Sequence, residues 1–186
     1  MSTTDRVDTS MATMTDAYLS RVEDALADDL ALVPDRMLAT LRSLEPLQQG
    51  FEIDQLEHSL QTATRAERAG ADLDIVVASL CHDMGKAVSV PNHPVIAAEI
   101  LKPYVRDDVY HVIRAHQDFQ GRHYYQHFGG DPNARDQYRD ESWFDLAATF
   151  ADDWDQQAFD PAYDTLSLEH FEGRVRERFA HPRFVV

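Results

Sequence analysis

The chain has 186 residues, enough for one compact domain, and its 44% hydrophobic and 27% charged residues are ordinary for a globular protein. Thirty-three acids against 17 bases give a formal charge of −16, which repels phosphate backbones and anionic membranes and argues against nucleic acid or lipid partners. No apolar run approaches the roughly 18 residues of a membrane span, and the single cysteine, Cys81, excludes an internal disulfide framework and fits a reducing, cytoplasmic setting.

Residues 1–15 are rich in Ser, Thr and Asp and lack the apolar segment of a secretory signal, so they read as a frayed tail before a domain over residues 16–186. Residues 17–32 form an amphipathic helix with Leu19, Val22, Leu26 and Leu30 in one stripe. Pro34 restarts the chain, and Met37, Leu38, Leu41 and Leu44 give a second helix that Pro46 ends. A third helix runs over residues 52–69, with Gly70 at its stop position. Asp72 caps a fourth, whose apolar residues Leu73, Val76, Val77 and Leu80 deliver His82 and Asp83 at its end. Cys81 lies in this apolar run and reads as a core thiol.

Pro91 to Pro94 make a turn into a short helix over residues 95–101, and Asp107 or Asp108 starts another through Val112 and Ile113 to His116. Residues 117–131 form a loop dense in aromatics and polar tips, a candidate substrate lid. Residues 141–158 are helical, Pro161 breaks the run, and residues 168–179 form the last amphipathic helix. No alternating strand pattern occurs, so the fold class is all-α.

Nine histidines stand out in so acidic a chain. His58 sits on the inward side of the third helix, and His82 with Asp83 ends the fourth. His93 opens the fifth helix, His116 closes the sixth, and Asp155 follows Trp154 late in the long helix. Any one of these alone reads as a packed or surface residue. Together, spread over separate helices, they match the way bundles build metal sites from facing side chains. Imidazole and carboxylate without thiolate suit iron, manganese or zinc. His123 and His127, four residues apart, make a weaker second pair, while His111, His170 and His181 point elsewhere.

The order His58, His82-Asp83, His93, His116 and a late Asp resembles the HD-domain superfamily over about residues 51–179. The resemblance implies an HD-domain helical bundle with a dinuclear metal centre in its core, held by His58, His82, Asp83, His93, His116 and Asp155, with Asp83 as the bridge. Within that superfamily, residues 55–61, the run His82-Asp83-Met84-Gly85-Lys86 and the pair Trp154-Asp155 are similar to the mixed-valent diiron oxygenases. That similarity selects Asp155 over Asp152 as the last ligand. It implies two iron ions, Fe2+ and Fe3+, with Mn2+ or Zn2+ as alternatives, and O2 with a small polar molecule as reactants. It gives Lys86 a catalytic, substrate-contacting role; apart from the resemblance, the polar tips of the aromatic loop, Gln120, Arg122, Tyr124 and Tyr125, are candidate substrate-binding residues.

The departures are informative. Phosphonate-cleaving members carry bases where this chain has Gln120 and Asp152, and a gating tyrosine and glutamate where it has Gln48 and Phe51. A doubly charged phosphonate is therefore not the expected substrate. The implied activity is cleavage of a bond at a hydroxyl-bearing carbon. The alternative is an HD-type metal-dependent phosphohydrolase or phosphodiesterase, for which Lys86, Arg114 and Arg122 are the cations nearest the ligands in sequence.

Overall fold

The computed structural model describes residues 10, 12 and 14–184; most of the expected N-terminal tail, residues 1–9, 11 and 13, lies outside them. Eight α-helices, with short 3₁₀ turns and one π-helical turn between them, make up the regular structure of the described residues, in agreement with the all-α reading. They are α1 (Asp16–Ala31), α2 (Val33–Arg42), α3 (Gln55–Arg68), α4 (Leu73–Cys81), α5 (His93–Leu101), α6 (Asp107–Gln120), α7 (Phe144–Thr149) and α8 (Leu168–Phe179).

The helix ends follow local chemistry. Asp54 caps α3 by accepting from the Glu57 backbone N–H at 2.8 Å, which starts the helix later than its apolar pattern alone suggests. Asp72 caps α4 in the same manner through Ile75. Gly70, with φ of +78°, takes the left-handed position that ends α3.

Helix α3 packs on α4, α5 on α6, and α6 on α7, while α8 lies across α2 and α4. Between them sits a core of Leu38, Leu41, Leu60, Val76, Leu80, Leu101, Val112, Ile113, Phe119, Phe150 and Phe171. Its middle is polar: His58, His82, Asp83, His93, His116 and Asp155 are all buried within it.

Three elements depart from the sequence expectation. Helix α1 forms, but buries no residue, and its stripe stays in the open, with Leu26 57% exposed. Helix α6 runs on to Gln120, and the aromatic segment after it is wound into short 3₁₀ turns at Gly121–His123 and Tyr125–His127 rather than a free loop. The expected helix over residues 141–158 is α7 followed by a π-helical turn, Phe150–Asp155. That wider turn buries Phe150, Ala151, Trp154 and Asp155 together.

Candidate metal centre

Each of the four central histidines uses Nδ1 in the same way. His58 donates to the carbonyl of Ala158 at 2.9 Å, His82 to Ser79 at 2.8 Å, His93 to Val90 at 2.7 Å and His116 to Ile113 at 2.7 Å. A backbone carbonyl only accepts, so the proton must be on Nδ1, and every Nε2 lone pair faces the centre. For His82, His93 and His116 the acceptor lies three residues back, so the end of each helix or turn orients its own ring.

The Nε2 atoms converge on two carboxylates. His58 Nε2 lies 3.1 Å from Asp155 Oδ1 and 3.4 Å from Asp83 Oδ2, and His82 Nε2 lies 3.4 and 3.3 Å from the same atoms. The two nitrogens are 3.2 Å apart. Donors of a tetrahedral site with bonds of about 2.0–2.2 Å stand about 3.3–3.6 Å from one another, so this spacing suits a first-row cation at the middle. The second carboxylate oxygen of Asp83 turns the other way. Oδ1 is 3.1 Å from His93 Nε2 and 3.6 Å from His116 Nε2, and those nitrogens are 3.3 Å apart. Asp83 thus presents one oxygen to each histidine pair.

Lone pairs facing one another at these distances repel unless a cation or proton stands between them. Asp83 Oδ1 is buried with no hydrogen-bond partner, a costly arrangement that a cation relieves. The titration behaviour agrees. Burial opposes an imidazolium at His82, yet the Asp83 and Asp155 carboxylates overcome it and lift its pKa to about 10. His58 is raised by the same carboxylates against the same burial. Burial works against both carboxylates in turn, but His82 and Lys86 hold Asp83, and His82 and His58 hold Asp155, well below the usual range. Burial keeps His116 below its ordinary value. Protons here take the place of a cation, and the donor set fits two metal ions.

Around the ligands, Lys86 Nζ donates to Asp83 Oδ2 at 2.6 Å and to Gln55 Oε1 at 2.7 Å, with Gln55 itself buried. Gln120 Nε2 donates to Asp155 Oδ1 at 2.9 Å. Tyr124 is half-buried; burial raises its pKa, and Asp155 and Asp83 add to the rise, which puts its hydroxyl within their field. Tyr125 packs edge-on against Tyr124, and its ring fills the space where Gly121 would carry a Cβ. Arg122 is exposed and is not drawn to the ligands.

Asp152 lies outside the cluster. It pairs with His123 at 2.8 Å and with Arg135 at 2.9 Å, so His123 serves that ion pair and not a second metal pair with His127. Cys81 is fully buried and its thiol is pushed up to about 12 by burial, which suits a core residue and not a nucleophile.

Four contributors had no clear sequence signal. Gln55 lies one turn before His58 on the same face of α3, so only its spacing hinted at it. Phe159 stacks on His58 with ring centroids 4.4 Å apart, and Phe51 stacks on Phe159 at 4.2 Å. Gly85 has no positive φ, so no left-handed turn calls for glycine there. It is needed because a Cβ there would stand 2.3 Å from the carbonyl of His93. A surface groove of about 550 Å³ between α3, α4 and α8 is lined by Glu67, Leu73, Val76 and Arg174 and includes none of the six clustered histidines and aspartates.

No curated protein matches the chain. Residues 56–158 match the HD domain, a span that begins just before His58 and ends just after Asp155. With that span covering more than half of the chain and enclosing the buried histidines and aspartates, the protein belongs to the HD-domain family.

Proposed function

We propose that this HD-domain protein is a dinuclear iron oxygenase that uses O2 to cleave a bond at a hydroxyl-bearing carbon of a small polar substrate. The observation that carries the reading is the two-sided Asp83 carboxylate, whose oxygens face separate pairs of buried imidazoles. Six ligands (His58, His82, Asp83, His93, His116 and Asp155) shared between two ions leave coordination positions for substrate and O2. Two iron ions so held supply O2 activation and removal of hydrogen from carbon, with Mn2+ or Zn2+ the alternative filling.

The chain's own residues bind, orient and exclude water. Lys86 has three N–H donors, of which Asp83 and Gln55 take two, and the third is offered to a substrate oxygen. Tyr124 offers a hydroxyl, and Gln120 and Tyr125 complete the polar set, with the exposed Arg122 outside it. Burial of all six ligands keeps bulk water from the reacting atoms.

The phosphohydrolase alternative needs cations to grip a phosphate. Of the three cations nearest the ligands in sequence, Arg114 is paired with Glu99 and Arg122 is exposed, which leaves Lys86 alone of them at the cluster and counts against it. Anaerobic reconstitution with iron separates the two readings. Two irons per chain are expected, with a large loss in His82→Ala, Asp83→Ala and His116→Ala. Partial oxidation should give the EPR signal of a coupled Fe(II)/Fe(III) pair, with g-values below that of the free electron. A manganese-loaded protein that hydrolyses phosphodiesters without O2, and forms no such iron signal, would establish the hydrolase instead.

A further inference from the structure

We propose that Gln120 is a positioning residue that commits Asp155 to the metal centre through Oδ1 alone. The proposal rests on the reading of the cluster as a dinuclear centre, and on neither the metal's identity nor the reaction.

Gln120 is the last residue of α6, four positions after His116, so both side chains leave the helix on one face. His116 serves the His93 side of Asp83, and Gln120 crosses to the other side, where its amide donates to Asp155 Oδ1 at 2.9 Å. That oxygen is also the one 3.1 Å from His58 Nε2 and 3.4 Å from His82 Nε2. The other oxygen, Oδ2, is buried and unpartnered.

A carboxylate free to rotate offers a cation either oxygen, or both. The Gln120 hydrogen bond takes one lone pair of Oδ1 and points the other inward, holding Oδ2 away. A bidentate Asp155 would fill one more coordination position, the kind a substrate or water needs. An amide is suited to this work. It donates without the positive charge of Lys or Arg, which would compete with the cation, and without the negative charge of Glu.

Packing fixes where the amide starts from. The next residue, Gly121, lies so close to the Tyr125 ring that a Cβ would meet Cε2 at 2.5 Å, so the end of α6 is clamped. One helix therefore joins both halves of the centre, through an imidazole on one side and an amide on the other.

The test is cobalt(II) titration of the full chain, followed by calorimetry and visible absorption, for wild type, Gln120→Leu and Gln120→Asn. Leu keeps the volume and removes the donor; Asn keeps the amide and falls short of Asp155. Circular dichroism checks that each variant is folded. In both variants one ion should bind about 10–100-fold more weakly while the other keeps its affinity. The cobalt ligand-field bands should lose intensity several-fold as the coordination number rises. Wild-type affinities and an unchanged spectrum in both variants would overturn the role of Gln120 and leave the dinuclear centre standing. Equal weakening of both ions in folded variants would overturn it too. A wild-type chain that takes up fewer than two cobalt ions would overturn the dinuclear reading itself, and the proposal with it.

Discussion

Four imidazoles that each give Nδ1–H to a carbonyl are held in the tautomer a metal needs before any metal arrives. The cost is electrostatic and depends on pH. His82, raised from 6.5 to about 10, contributes stability that is fully present below pH 6.5 and is lost as pH climbs toward 10. Asp83 and Asp155, both lowered, contribute stability that is present above pH 3.8 and lost as pH falls. His116, lowered, opposes His82 below pH 6.5 by resisting protonation. Metal-stripped protein should therefore lose stability between pH 6.5 and 10, checked by urea unfolding at pH 6 and pH 9 in the presence of a chelator. Metal-loaded protein, whose imidazoles carry no Nε2 proton, should not show that loss. Cation uptake near neutral pH should release protons, measurable in weakly buffered solution.

At the scale of elements, helix period predicted the helices that carry the buried histidines and aspartates but not how their ends are finished. The spacing of Asp152 and Asp155 admits either as a ligand. The π-helical turn turns Asp155 into the core and leaves Asp152 half-exposed with Arg135 and His123. Nothing in local propensity announces such a turn, because packing of Phe150 against His82 and of Trp154 against Phe150 accompanies it. Gly85 is a similar case. Its role is a close approach of two backbones distant in spacing, which the sequence shows only as one more glycine. Gly85→Ala should push His93 and the start of α5 outward. Metal content after dialysis should then fall from two ions toward one, with the His58–His82–Asp155 side kept.

Across the whole molecule, α1 stands apart from the core it precedes. Its leucine stripe is exposed, and its Asp29–Arg36 ion pair with α2 is also exposed and worth little. A chain beginning after Ala31 should retain both metal ions and change in unfolding free energy by less than about 1 kcal/mol, as measured by chemical denaturation. The charge of −16 belongs to the surface around a core whose own carboxylates are matched by imidazoles and one lysine. No helix among the described residues is long and apolar enough to cross a membrane.

The all-α class, the cap at Asp72, and the histidines and aspartates that gather in the core were legible in the sequence, because apolar period and capping chemistry act within a few residues. Which oxygen of Asp83 faces which imidazole pair was decided by tertiary structure. So were the π-helical turn at Asp155, the reach of Gln120 and the stacking of Phe159 on His58. Those relations join residues about a hundred positions apart, such as His58 and Phe159. Helix period says which face a side chain occupies, but distance and orientation between faces are set only when the helices pack.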